Sequence, residues 1–330
     1  MSVKSSVLGL LEMQKGVYVS GEDLAARFSC SRAAVWKAIS ALRKEGYPIH
    51  AVTNKGYILE PDSNLLSSEA ILAYSDGCLA PVWVYPEVTS TNLVLRQKAL
   101  EADGQGCPLS DGAMVLAESQ SAGRGHLGRG FYSPKDTGLY LSILYHPKRY
   151  VSQSRVITAA AAVAVYTAVS QVCSIDLDIK WVNDLYFRRK KVCGILTEAV
   201  SSFETGEIEF VIVGIGLNLR EPDGGFPSAI SRQMGAITPD GRTADGVPVN
   251  RSQLAAQIRC RFLELADCTV VPEIYRSHNL VLGQDVLLTG PDGHTQPAKA
   301  LTIEFDGSLT CRMADGSLHS FPYGDIRLTE

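Results

Sequence analysis

Four segments of this 330-residue chain carry residue types suited to holding a small anion. The richest is Ala117-Glu-Ser-Gln-Ser-Ala-Gly-Arg-Gly-His-Leu-Gly-Arg-Gly-Phe-Tyr-Ser-Pro134, which sets four glycines and two arginines between Gly123 and Gly130. Glycine lets a backbone approach a ligand closely, and arginine offers a planar charged fork for phosphate or carboxylate. Such a loop is expected to be mobile when empty and closed over an anion when full, because ordering it costs entropy. The second segment, Asp178 to Glu198, reads as strand, charged turn, strand. Lys180 sits in its apolar first strand, where a buried ammonium needs an anionic partner. Asn183-Asp184 then enters the turn, either as simple bend-formers or as ligand contacts. In the third, Phe210-Val-Ile-Val-Gly-Ile-Gly-Leu-Asn-Leu219, Gly214 and Gly216 leave room against a strand, and Asn218 offers both donor and acceptor. The fourth, Val88-Thr-Ser-Thr-Asn92, opens an amphipathic run, where its hydroxyls either cap a helix or contact a polar ligand.

Gly123-Arg-Gly-His-Leu-Gly128 also fits the G-x-G-x-x-G dinucleotide pattern. That fingerprint needs a helix to open at its third glycine. Here Gly130 and Ser133-Pro134 oppose a helix, and Gly138 to Leu144 reads as another strand, so a dinucleotide fold is set aside.

In their order and spacing, over roughly residues 65 to 270, the four segments resemble the catalytic domain of biotin–protein ligases of the bacterial kind that also repress biotin genes. The resemblance rests on Thr89-Ser-Thr-Asn92, the loop from Gln120 to Pro134, Lys180-Trp-Val-Asn-Asp-Leu-Tyr186 with Gly194-Ile-Leu, and Gly214-Ile-Gly-Leu-Asn218. It implies ATP-dependent activation of biotin to biotinoyl-5'-AMP, with Mg²⁺ on the phosphates, followed by transfer to a lysine of a biotin carboxyl carrier domain. Lys180 and Arg124 are then the expected catalytic cations, Lys180 being taken as the strand lysine that offsets the phosphate. Biotin is expected against Ser90, Thr91, Asn92, Gln120, Gly123, Arg124, Gly125, His126, Lys180, Gly194, Gly214 and Gly216. The nucleotide is expected against Arg129, Phe131, Asn183 and Asn218. The family usually carries arginine where this chain has His126 and often tryptophan where it has Phe131. The second exchange keeps an aromatic face; the first loses a permanent charge. Two other activities share these features: lipoate–protein ligation, and metabolite sensing by a DNA-binding protein whose ligase domain is inactive.

The elements that must position these residues are legible too. Val3 to Met13 patterns as a helix. Ser20 caps Gly21 to Phe28 with Asp23 at the capping-box position. Ser31 to Lys44 repeats apolar Val35, Ala38, Ile39 and Leu42 at helical spacing. Tyr47 to Leu59 reads as a hairpin turning at Asn54-Lys-Gly56. This is the plan of a winged helix-turn-helix. Gly21, Ser31, Arg32, Lys37, Ser40 and Lys55 are its candidate DNA contacts, and the alternative is a small protein-contact domain. Eight basic against five acidic side chains give residues 1 to 60 a charge of +3, so the remainder of this −4 chain carries −7. Beyond His278, Asp-Gly turns at Gly290 to Gly293, Asp306 to Ser308 and Asp315 to Ser317 separate short apolar strands. That spacing suggests a small barrel, and the resemblance implies an SH3-like one. Arg327 is near, but not at, the place where relatives often put a ligand-facing arginine.

The expected architecture is therefore α+β and multidomain. Residues 1–62 form a winged helix-turn-helix, 63–274 an α/β ligase domain with a mixed, class II synthetase-like sheet, and 275–330 the SH3-like barrel. Val156 to Val172 is too short and too polar for a membrane span and fits a buried helix. Eight cysteines show no paired spacing and six histidines no cluster, so no resident metal site is expected. The same features, and the lack of a secretory pattern, point to a cytoplasmic protein. Operator binding and a ligand-promoted homodimer are further expectations of the resemblance.

Overall fold

The computed structural model describes residues 2–147, 154–201, 208–290 and 293–328. Helices α1 (Val3–Met13), α2 (Gly21–Arg27) and α3 (Arg32–Lys44) come first, followed by the hairpin of β1 (Ile49–Val52) and β2 (Gly56–Leu59). Each helix opens on a serine whose hydroxyl accepts a backbone N–H: Ser2 from Ser5, Ser20 from Asp23 and Ser31 from Ala34. Such caps satisfy donors that the first turn leaves unpaired. Val35, Ala38, Ile39 and Leu42 of α3 face a closed core with Val7, Leu8 and Leu11 of α1. The helix-turn-helix and its wing are thus built as their periodicity predicts.

The middle of the chain holds α4 (Ser68–Ala73), β3 (Val82–Val88), α5 (Thr91–Gly104), β4 (Met114–Gln120), β5 (Gly138–Tyr145) and α6 (Ser154–Cys173). It continues through β6 (Asp178–Lys180), β7 (Asp184–Phe187), β8 (Lys190–Ser201), β9 (Ile208–Asn218), α7 (Arg251–Leu265) and α8 (Glu273–Ser277). The seven strands form one mixed sheet in the order β3-β4-β5-β9-β8-β7-β6, with only β3 and β4 parallel. Helix α6 has the length and hydropathy of a membrane span, but 72% of its apolar stretch is buried against this sheet and α7, as a core helix would be.

The last strands, β10 (Asp285–Thr289), β11 (Thr295–Ile303), β12 (Leu309–Met313), β13 (Leu318–Phe321) and β14 (Asp325–Leu328), form an antiparallel sheet in the order β13-β12-β11-β10-β14. Here the expected barrel is corrected: the sheet is open, with β13 and β14 as unpaired edges. Both are four residues long, and Pro322, which has no N–H to donate, interrupts the chain between them. This sheet is also less separate than expected. Val286, Leu288, Ala300 and Ile326 share one buried cluster with the central sheet, and the Trp181 indole donates to the Gly307 carbonyl at 2.9 Å. The N-terminal helices have their own core and meet the centre at a polar seam. There the Tyr74 hydroxyl donates to the Glu12 carbonyl at 2.8 Å, while Lys15 pairs with the buried Glu12 carboxylate at 2.8 Å.

Candidate active site

Three adjacent strands make the floor of a cavity. Register places Ser142 of β5 beside Gly214 of β9 and Leu196 of β8, and in the next row Tyr140 beside Gly216 and Gly194. Residues two apart on a strand share a face, so the glycines expose backbone over a small area of one sheet face. The expected vacancy is nonetheless filled by the chain itself. A Cβ on Gly214 would lie 2.3 Å from Asn92 Oδ1, and one on Gly216 2.4 Å from the Phe131 ring. The cavity that remains measures about 40 Å³, whereas small-molecule sites commonly span roughly 300 to 1,000 Å³. Phe131 must therefore withdraw before a ligand can lie against Gly194 and Gly216.

The cavity brings together Ser90, Thr91, Asn92, Gln120, Arg124, Gly125, His126, Phe131, Asn183, Gly194, Gly214 and Gly216, most of the expected set. Ser90 is the N-cap of α5 yet makes no side-chain cap bond, which favours a ligand contact over simple capping. Behind it lies a polar network. Gln120 Oε1 accepts the Thr91 N–H at 2.9 Å, and its Nε2 donates to Ser133 Oγ at 2.9 Å. Asn92 Nδ2 donates to Glu198 Oε2 at 2.6 Å, and Ser142 Oγ lies 2.6 Å from Asn92 Oδ1 and 2.8 Å from Thr91 Oγ1. The loop between Gln120 and Ser133 folds back on itself through Phe131 N–H to Gly123 O at 2.9 Å and Gly125 N–H to Arg129 O at 2.7 Å. A Cβ on Gly123 would come within 2.4 Å of the Phe131 carbonyl, so Gly123 shapes this loop and does not line the cavity.

Three further residues expected at the site lie outside the cavity lining. Lys180 ends β6 outside the cavity lining, its ammonium 3.4 Å from the Tyr186 hydroxyl. Burial pulls its pKa below the ordinary lysine value, opposed by Asp184 and Asp325. The lysine that does line the cavity is Lys191, whose ammonium pairs with Asp184 at 2.6 Å and abuts Gly194. A bulge between Leu185 and Tyr186 sets Tyr186 opposite Lys191, and the pair spans that irregular stretch of ladder. Asn218 is buried away from the cavity, its amide donating to the Gly235 carbonyl at 3.0 Å. Arg129 turns to the C-terminal sheet, where Asp325 Oδ2 lies 2.6 Å from its guanidinium. Burial works against ionisation of Asp325, but Arg129, Lys180 and Arg327 outweigh it and hold its pKa below the usual range. Among the described residues Arg124 has no such partner, and it is exposed at the cavity, leaving its fork for an incoming anion.

On the N-terminal module, Ser31, Arg32, Lys37 and Lys55 are exposed, while Gly21 and Ser40 are half-buried. Gly21 packs against Tyr57, where a Cβ would approach the ring to 3.3 Å. Trp36, which the charge pattern did not single out, is 61% exposed beside Lys37 and joins the candidate DNA face.

If Phe131 is the obstacle described, Phe131→Ala should speed biotin association several-fold, because the open form would no longer be a minor population. The same change should weaken retention of the adenylate, having removed the aromatic face. Stopped-flow association at several biotin concentrations checks the first; an association rate equal to wild type would show that the ring does not gate entry.

The same two modules occur in known proteins. An HTH domain model matches residues 4–58, and the Biotin/lipoate A/B protein ligase family model matches residues 90–218. The bifunctional ligase/repressor BirA of Bacillus spizizenii is 29% identical over 322 residues, covering 96% of this chain and 95% of that protein. The BirA of Escherichia coli is 32% identical over 207 residues, covering 63% and 61%. The biotin protein ligase from Aquifex aeolicus, solved in complex with biotin and ATP, superposes with a TM-score of 0.59 at 25% identity, covering 76% of this chain and 98% of that one. Both modules are matched and one relative aligns almost end to end, so over nearly its whole length the chain is similar to bifunctional ligase/repressor proteins.

Proposed function

We propose that this protein joins biotin to a lysine of a carrier domain through biotinoyl-5'-AMP, and that the adenylate-bound form represses transcription through residues 1–62. The observation that carries the reading is the cavity itself. Neutral donors and acceptors from Ser90, Thr91, Asn92 and Gln120 suit a ureido ring, and the cations Arg124 and Lys191, lining the same cavity, suit a carboxylate and phosphate. Residues 63–274 would form the ligase domain and 275–330 the C-terminal domain that closes on it through Arg129 and Asp325.

The chemistry follows from charge. A carboxylate and an α-phosphate repel each other, so a site that aligns them must neutralise both. Lys191, paired with Asp184, and Arg124 both line that cavity and would supply the two positive charges. The product is a mixed anhydride that water would hydrolyse, and the Gln120 to Ser133 loop gives the means to exclude water. Attack by the amine of an acceptor lysine breaks the anhydride, forms the amide and releases AMP. No protein nucleophile is needed. Among the described residues there is no cluster of three or more metal-ligating side chains. Mg²⁺ fits this site as a companion of ATP, since it commonly keeps water and binds through phosphates with one or two carboxylates. Asp184, whose carboxylate pairs with the cavity-lining Lys191, is the carboxylate placed to join it. Bound there, the ion would neutralise phosphate charge.

The test is purified protein with ATP, Mg²⁺, a biotin-carrier domain and either biotin or lipoate, read by mass. A gain of one biotinoyl group, dependent on ATP, is expected; a lipoyl gain alone, or none, overturns the reading. His126 offers a sharper check on the loop. It lines the cavity at the position where the resemblance implies a usual arginine, so His126→Arg should slow escape of free biotinoyl-adenylate. Equal off-rates for the two proteins at both pH 6 and pH 8 would show that this side chain does not touch the ligand.

A further inference from the structure

The hydrogen bonds behind the cavity have a direction set from one end. Glu198, on the cavity face of β8 but not lining the cavity, is a carboxylate, which only accepts. Asn92 places one amide atom 2.6 Å from Glu198 Oε2 and 3.4 Å from the Leu196 carbonyl. Both neighbours are acceptors, so that atom is the nitrogen and Oδ1 is turned to Ser142. An amide oxygen also only accepts, and the single hydroxyl hydrogen of Ser142, at 2.6 Å, is committed to it. Ser142 and Thr91 hydroxyl oxygens are 2.8 Å apart, and one of them must donate. With the Ser142 hydrogen spent, Thr91 donates. The other acceptor near Thr91, Gln120 Oε1, is farther away at 3.3 Å and already takes the Thr91 N–H at 2.9 Å.

We propose that Glu198 and Ser142 are positioning residues that fix the Thr91 hydroxyl as an acceptor toward the cavity, so that the site selects an acid presenting an N–H donor at that point. An isolated hydroxyl rotates to suit either a donor or an acceptor and discriminates little. This one cannot rotate without leaving Ser142 and Thr91 oxygens in contact with no hydrogen between them. Thr91, Asn92 and Ser142 are all buried, so water does not relieve the constraint. A ligand offering a carbonyl or ether oxygen there meets lone pairs, and one offering nothing leaves a buried acceptor unpaired, the situation in which polar sites discriminate most strongly. The inference rests on the reading that the cavity holds biotin, whose ureido ring carries such N–H groups.

Calorimetry of biotin binding to the full chain tests it. Glu198→Gln keeps size and shape but lets the amide chain reverse, and Ser142→Ala cuts the relay in the middle. Each should weaken biotin about tenfold, the cost typical of an ill-matched buried hydrogen bond. The KM for ATP should stay unchanged, which a general loss of structure would not allow. The double variant should be no worse than the weaker single one, because both act on the same hydroxyl. Losses that add, or wild-type affinity in either variant, overturn the relay. Should Glu198→Gln fail to fold, Ser142→Ala and Thr91→Val still decide, since the relay requires both to lose affinity. A wild-type protein that does not bind biotin at all overturns the reading of the cavity instead.

Discussion

Lys191→Met is expected to slow biotin-dependent pyrophosphate release by at least about 100-fold, equivalent to about 3 kcal/mol of transition-state stabilisation. Lys191 is the ammonium that lines the cavity, and Asp184 holds it there at 2.6 Å, so its charge is in place before phosphate charge develops. Preorganised charge of this kind loses nothing to reorientation during the reaction. Lys180→Met should cost less. Its ammonium lies outside the lining, beside the Tyr186 hydroxyl, and interacts at a distance with Asp184, Asp325, Lys191 and Arg129. A smaller, indirect effect is expected, with KM for ATP moving more than the chemical step. Single-turnover adenylation of the two variants separates the cases. If Lys180→Met is the more damaging, the lysines exchange roles on ligand binding and the assignment to Lys191 falls. Lys191→Arg gives a second reading: a charge alone would be restored, whereas a point charge set beside Asp184 would not, since a planar guanidinium differs from an ammonium in shape and donor geometry.

That Lys180 is the more visible lysine in the sequence, while Lys191 lines the cavity, has a physical cause. Lys180 stands alone in an apolar strand, and an isolated charge among Ile179 and Trp181 is conspicuous. Lys191 closes the run Arg188-Arg-Lys-Lys191, which reads as a solvated turn. What distinguishes it from its three neighbours is a bulge in β7 against β8 and the carboxylate of Asp184, neither of which has a local signature. The same holds for the pair Arg129 and Asp325, whose partners lie 196 residues apart, and for the meeting of Asn92 with Glu198. By contrast, features decided within a few residues were legible. The serine caps of α1, α2 and α3, the wing turn at Asn54, the buried helix α6 and the glycine pair of β9 all appear where their local chemistry puts them. Strand β14 escaped notice because Asp325 to Leu328 alternates over four residues only, too short for a period to declare itself.

Removing residues 1–62 should abolish operator binding while leaving adenylation within a few-fold of wild type. The two functions stand on separate cores: α1, α2, α3 and the wing enclose their own buried cluster, and the cavity takes no residue from them. The exposed face of α3 presents Arg32, Trp36 and Lys37, with Lys55 on the wing beyond. A module with a net charge of only +3 neutralises few phosphates, and electrostatic affinity for DNA grows with the number neutralised. One copy should therefore bind weakly and lose affinity steeply as salt rises. Two copies on a two-half-site operator would roughly double the phosphate contacts and place two reading helices about 34 Å apart along the duplex. Whatever ligand favours the dimer must then favour operator binding by the same factor, because the linkage is thermodynamic. A mobility-shift titration with and without biotin plus ATP, at two salt concentrations, measures that factor. Binding that does not depend on ligand would remove the switch, and failure of the intact dimer to bind any operator would leave this face to a protein partner, with Trp36 as its apolar contact.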